Sequence, residues 1–296
     1  MRFKAEGIIV AMVTPFTKGG RNVDLAKAGT LAAWLVKRGA AGLFVCGTTG
    51  EGMLMTAEER RAVLERVLDT VGDKALVVAH TGALDTATAI SLTTHAQKAG
   101  AHAAGVVAPS FYGYDDRALA QHYKAVAKAA PDLPILLYNI PGCAKNVLSP
   151  EFLLQLAAVD NIVGVKDSSG DMSDLTWLIG NAPPDFHVIN GTDEYGYQAF
   201  LAGGKAAVSG TGNVVIDVYK AVYDNVQKGN LKKAWEMQVR LANACRILAY
   251  GQMTAVMKEG MRVRGFDPGY VRPPQRELTA GEKKQLTQRL KEAHLE

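Results

Sequence analysis

Short apolar runs alternate along the chain with longer stretches whose apolar residues recur every three or four positions. The runs are 7–12, 42–46, 75–80, 104–108, 135–138, 162–166, 187–190 and 206–209. Val, Ile and Leu dominate them and polar alternation is scarce, which is the pattern of strands buried on both faces of a parallel sheet. The stretches between them carry helix-start signals. Thr56 with Glu59 forms a capping box, in which each side chain satisfies the other residue's backbone N–H, and predicts a helix running to about Val71. Ser149, Pro150 and Glu151 supply in turn a hydroxyl acceptor, a ring with no N–H to lose and an acid for the first turn. Asp24, Asp116 and Asp174 mark further starts, and Gly72 and Gly100 mark ends.

Eight such strand–helix units predict an α/β fold, a (β/α)8 TIM barrel over residues 1–228, with its eighth helix at about 216–228. Residues 229–296 predict a small C-terminal helical extension. It holds helices at 230–250 and 253–264, a proline-broken loop at 265–277, and a last helix after a second capping box, Thr279 with Glu282. The competing architecture is a doubly wound open sheet of the nucleotide-binding kind. Its support is the glycine-rich turn at 47–52, but that turn follows the second strand, is misspaced for GxGxxG and lacks the P-loop lysine.

Composition narrows the class. Of 296 residues 48% are hydrophobic, enough for one large core. The net charge of +4 is mild. Apart from a short stretch near Arg262, Arg264, Arg272 and Arg276, the basic residues are dispersed, so no stripe for nucleic acid stands out. No apolar run approaches a membrane span, and the N-terminal run is broken by Pro15 and lacks a cleavage-site pattern. Cys46, Cys143 and Cys245 are too few and too far apart for a disulfide framework. A cytoplasmic protein acting on a small molecule is expected.

In a barrel the C-terminal strand ends converge on the active site. Polar residues collect there: Thr14, Thr48, Thr49, His80, Tyr138, Lys166, Gly191, Asp193 and Ser209. Lys166 ends an apolar run, and its stem lies where desolvation disfavours the ammonium. A neutral amine attacks carbonyls, and the resulting imine is an electron sink that lets a neighbouring carbon–carbon bond form or break. The competing reading is a lysine that snorkels to solvent or pairs with Asp167. Tyr138 ends the adjacent strand and, facing the same cavity, can donate to an oxo-acid oxygen or relay a proton. It can equally be a barrel-layer aromatic. Thr48 and Thr49 offer hydroxyls and backbone N–H groups to a carboxylate, or form an ordinary tight turn. Ser209 opens a second loop with the same two readings. His80 is the only one of six histidines at a strand's C-terminal end, too few for a metal-dependent aldolase, so no metal is expected. Cys143 lies in a loop near the rim with no evident histidine base.

The turn GTTGE (47–51), YNIPG (138–142), GVKDSSGD (164–171) and GYVRPP (269–274), in this order, resemble the dihydrodipicolinate synthase / N-acetylneuraminate lyase superfamily from Ile9 to the end. The resemblance implies a pyruvate-handling class I lyase on a (β/α)8 barrel with a C-terminal helical part. It further implies a tetramer built from tight dimers, and no metal or organic cofactor. It implies that Lys166 is the Schiff-base lysine, Tyr138 the tyrosine above it, and Thr48 and Thr49 the grip on the pyruvate carboxylate.

Two positions depart from the synthase pattern. Cys143 stands where synthases carry an arginine for the aldehyde's carboxylate, a planar bidentate grip that a thiol cannot replace. Lys145 lies two residues on. Phe111 stands at the position of a proton-relay tyrosine, with Tyr112 beside it. GTDE (191–194) resembles the sugar-acid lyases, in which the acidic pair binds polyol hydroxyls. Asp193 and Glu194 could equally serve the first turn of the next helix.

The expected reaction is reversible aldol cleavage or condensation of pyruvate with an aldehyde that is hydroxylated or sugar-acid-like. Lys166 and Tyr138 are the catalytic pair. Thr48, Thr49, Gly191, Asp193, Glu194, Ser209, Cys143 and Tyr112 are the candidate binding residues. A dihydrodipicolinate synthase and a 2-keto-3-deoxy acid dehydratase are alternatives. A nucleotide-binding oxidoreductase and a non-catalytic pyruvate-binding protein represent other classes.

Overall fold

Eight parallel strands organise the computed structural model, which describes residues 3–296. They are β1 (Gly7–Ala11), β2 (Gly42–Val45), β3 (Leu76–His80), β4 (Ala103–Val107), β5 (Ile135–Asn139), β6 (Ile162–Asp167), β7 (His187–Asn190) and β8 (Ala206–Ser209). Each pairs with the next, and β8 pairs with β1, so the sheet closes into a barrel. Closure rules out the open doubly wound sheet and with it the nucleotide-binding oxidoreductase that rested on it.

The strands fall within one residue of the apolar runs, and the differences have local causes. Strand β2 stops at Val45 because Cys46 turns left-handed, at φ 58°, to enter the glycine-rich turn. Strands β5 and β6 each gain a polar residue. Asn139 and Asp167 are register partners, and the Asn139 amide donates to the Asp167 carboxylate at 2.7 Å, so neither is buried unsatisfied.

Helix starts follow the capping chemistry with two shifts. The capping boxes at Thr56 and Thr279 both form, Ser149 caps the helix Pro150–Leu156, and Asp24 caps Leu25–Lys37. The cap of Asp116–Ala129 is Asp115, however, and that of Met172–Asn181 is Asp171. Asp116 and Asp174 are instead acids of the first turn, favoured there by the helix dipole. The eighth barrel helix starts at Gly212 rather than 216 and kinks at Val215. A four-residue helix, Pro141–Ala144, ends at Lys145 in the left-handed region and carries Cys143. It was not apparent in the sequence.

Beyond the barrel come the helices Leu231–Leu248, Met253–Val263 and Ala280–Glu292. No described helix is long and apolar enough to cross a membrane. Inside the barrel, Gly105 makes room for Phe44, since a Cβ there would lie 2.4 Å from the Phe44 ring. That ring in turn forms the floor beneath Lys166.

Candidate active site

Lys166 and Tyr138 are register partners on adjacent strands, so both side chains reach the same end of the barrel. The Lys166 Nζ lies 3.8 Å from the centroid of the Tyr138 ring and 4.5 Å from that of Phe44. Lys166 is only 4% exposed. Among the described residues it makes no ion pair, because Asp167 is engaged by Asn139 and by the Ser169 hydroxyl at 2.6 Å. Neither snorkelling to solvent nor pairing with Asp167 occurs, and the amine is sandwiched between two aromatic faces.

The Tyr138 hydroxyl lies 3.3 Å from the Thr48 hydroxyl. A phenol beside the amine is thus linked to the turn that carries Thr48 and Thr49. His80 packs edge-on against the Tyr138 ring, with centroids 6.0 Å apart. Burial, then the nearby charges of Arg60 and Lys166, hold His80 well below the usual histidine range, so it is neutral. Arg60 reaches its Nδ1 at 3.2 Å and donates to the backbone carbonyls of His80 and Gly82. This makes His80 a buried support behind Tyr138, hydrogen-bonded through Nδ1.

A cavity of about 330 Å³ opens over this pair. Thr48, Thr49, Tyr138, Lys166, Cys143, Gly191, Asp193 and Glu194 all line it. Gly191 is required by close approach: a Cβ there would lie 2.6 Å from the Asp167 backbone carbonyl oxygen. Asp193 and Glu194 do form the first turn of a short 3-10 helix, Asp193–Tyr195, while lining the cavity. The Asp193 Oδ2 accepts from the Ser209 hydroxyl at 2.8 Å, the Thr211 hydroxyl at 2.5 Å and the Thr211 N–H at 3.2 Å. Its Oδ1 is buried and has no hydrogen-bond partner among the described residues. Burial raises the Asp193 carboxyl to about 6, and the Thr211 and Ser209 donors oppose that rise.

Two candidates fall outside the cavity. Ser209 is fully buried behind Asp193 and orients it. Tyr112 is exposed, packed edge-on against Phe111 on the loop after β4, and its carbonyl accepts from the Asn146 amide at 2.9 Å. One wall was not foreseen. Leu248, Met253 and Met257, all from the C-terminal helical region, line the cavity. Its signal lay in the helix Met253–Val263, where Lys258 is a charged residue on a buried, mostly apolar face.

The model of the dihydrodipicolinate synthetase family matches residues 4–293. The chain belongs to the dihydrodipicolinate synthetase family. Within it, 4-hydroxy-tetrahydrodipicolinate synthase of Bacillus subtilis is 34% identical, over 96% of this chain and 98% of the relative. Among solved structures the chain resembles YagE of E. coli K12 in complex with pyruvate, with TM-score 0.94 and 30% identity over 98% of this chain and 99% of that one. It also resembles a catalytic lysine mutant of Ruminococcus gnavus sialic acid aldolase, with TM-score 0.92 and 27% identity over 99% of both chains. As a member of this family the protein is a carbon–carbon lyase of class I, the Schiff-base type.

Proposed function

We propose that this enzyme joins pyruvate to an uncharged, hydroxylated aldehyde and cleaves the product in reverse, through an imine on Lys166. The observation that carries the reading is Lys166 itself, buried against Tyr138 with no counter-ion among the described residues, in one cavity with the threonine turn. The pyruvate bound in YagE supports the same substrate here.

The hydroxyls of Thr48 and Thr49 grip the carboxylate of pyruvate. The Lys166 amine attacks the oxo carbon, and Tyr138 delivers the proton with which the carbinolamine oxygen leaves as water. Loss of a C3 proton from the imine gives the enamine, which adds to the aldehyde carbon as the aldehyde oxygen is protonated. Water then releases the product and restores the amine. Thr48, at hydrogen-bond distance from Tyr138, holds the phenol where that proton moves.

The acceptor half is read from the other lining residues. Asp193 and Glu194 present carboxylates suited to hydroxyls. Lys166 is the only basic residue among those that line the cavity, and Cys143 occupies the place of the synthases' arginine. An acceptor carboxylate would find no cation apart from the amine consumed in the chemistry, and burying an unpaired charge is costly. The second reading, 4-hydroxy-tetrahydrodipicolinate synthase, is favoured by the names of the relatives, including the Bacillus subtilis protein. It needs a second cation beside Lys166, which no described residue lining this cavity supplies. The exposed Phe111 and Tyr112 suit burial against a second copy of the chain, in line with the homotetramer the resemblance implies.

Incubation with pyruvate and borohydride, followed by peptide mapping, tests the central step. A reduced adduct on Lys166, absent from Lys166→Ala, is expected. No adduct, or an adduct that persists in Lys166→Ala, overturns the reading. A panel of hydroxylated and carboxylate-bearing aldehydes then separates the two acceptor readings.

A further inference from the structure

We propose that Glu51 and Lys258 are positioning residues, a buried ion pair through which the C-terminal helical region holds the turn at 47–51 in register with Lys166. The proposal rests on the reading of that turn as the grip on the pyruvate carboxylate.

The turn does not hold its shape by ordinary backbone preference. Cys46 at one end and Glu51 at the other both adopt left-handed φ of 58°, a region that side chains bearing a Cβ rarely occupy. Such conformations persist only where the surroundings over-determine them. The surroundings here are tight. A Cβ on Gly52 would lie 1.8 Å from the Cys46 carbonyl oxygen, and one on Gly50 would lie 2.8 Å from the Met12 carbonyl oxygen. The Thr14 hydroxyl donates to the Gly50 carbonyl at 2.6 Å.

Lys258 ties this arrangement to the C-terminal region. Its ammonium donates to the Glu51 Oε1 at 2.8 Å, the Thr14 carbonyl at 2.7 Å and the Tyr270 carbonyl at 2.6 Å, which uses all three of its protons. The other Glu51 oxygen accepts from the Arg272 N–H at 2.9 Å. Lys258 is 1% exposed and Glu51 3%. One side chain therefore fixes the end of the threonine turn, the segment after β1, and the GYVRPP segment. Lys258 also lies on the helix that brings Met253 and Met257 to the cavity.

A buried pair of this kind gives little net stability, because desolvation offsets the attraction. What its geometry supplies is placement: the hydroxyls of Thr48 and Thr49 stand at a set distance from the amine they serve. A shift of about 1 Å in a substrate-positioning group is enough to lose on the order of a hundredfold in rate.

The test uses the full chain and needs no acceptor. The pyruvate concentration giving half-maximal borohydride trapping on Lys166 is measured for the parent, Glu51→Gln and Thr14→Val. Glu51→Gln keeps shape but removes the charge and one of the two acceptor oxygens, and Thr14→Val removes the hydrogen bond to Gly50. Expected are a rise of about tenfold for Glu51→Gln and of about threefold for Thr14→Val, with trapping at saturating pyruvate within about threefold of the parent. A merely structural pair would lower the folded fraction, seen in thermal melts, and leave the half-maximal concentration unmoved. That outcome in folded Glu51→Gln overturns the proposal. If Glu51→Gln does not fold, the double variant Glu51→Gln with Lys258→Met, in which neither charge of the pair is left buried alone, decides by the same measurement. A parent that traps nothing sinks the imine reading and this proposal together, whereas trapping by the parent with unmoved variants sinks this proposal alone.

Discussion

Asp193 spends one carboxylate oxygen on three donors and leaves the other buried without a partner among the described residues. Its folded value of about 6 stands above the ordinary value of about 3.9. Between about pH 4 and 6 the folded protein holds a proton that the unfolded chain has released, so this group's contribution to stability falls as pH rises through that window. The full cost above it is on the order of 3 kcal/mol. Asp193→Asn keeps an acceptor for the three donors and removes the charge. Thermal melts at pH 7 should place this variant at or above the parent, with the advantage gone by pH 4. If Asp193 binds the acceptor as a carboxylate, the acceptor KM of the parent will fall as pH rises through 6, and that of Asp193→Asn will stay flat. At this scale the sequence was legible where strand register decides the outcome. Lys166 and Tyr138 end adjacent strands, and they meet. It was not legible for Ser209, where the side chain's direction at a strand end decides between contact with substrate and contact with Asp193. Nor was it for Tyr112, whose direction is set by a loop.

Strands and helices were read from period and caps, because both are local. Asp115 and Asp171 were displaced in favour of acids one and three residues later, since either acid suits a helix start and only backbone geometry chooses the cap. The helix Pro141–Ala144 is too short to show a period. The interior of the barrel, by contrast, depends on matched sizes across strands that no local pattern records. Gly105 on β4 exists opposite Phe44 on β2 for this reason. Gly105→Ala would drive the Phe44 ring against Lys166. Overpacking of this kind costs about 1–3 kcal/mol. A lowered melting temperature is therefore expected, together with an adduct on Lys166 that forms at least about tenfold more slowly. Unchanged trapping kinetics would show that the aromatic floor does not position the amine.

At the scale of the whole molecule, eight units of apolar strand and amphipathic helix made the closed barrel legible, since closure is what such repetition builds. The division at residue 228 carries a different implication. The cavity over Lys166 takes Leu248, Met253 and Met257 from beyond it, and Lys258 fills the acceptors of Thr14 and Glu51 within the barrel. Removing residues 229–296 would uncover an apolar wall and leave Glu51 as a buried unpaired charge, which is strongly destabilising. The truncated chain should fail to trap pyruvate and should aggregate on expression. A soluble 1–228 fragment with normal trapping would show that the helical region is dispensable to the site.

Cys143 has so far appeared as the residue that leaves the acceptor without a cation. It is also a chemical reporter already installed at the mouth of the site. Cys46 and Cys245 are buried, and burial pushes the Cys46 thiol up to about 12 and the Cys245 thiol upward as well. Only Cys143 is exposed, and it lines the cavity. A thiol-directed dye applied to the native enzyme should attach once, at Cys143. Any aldehyde that fills the acceptor half should slow that attachment, so the unidentified partner can be sought by protection of one sulfur before any product is known.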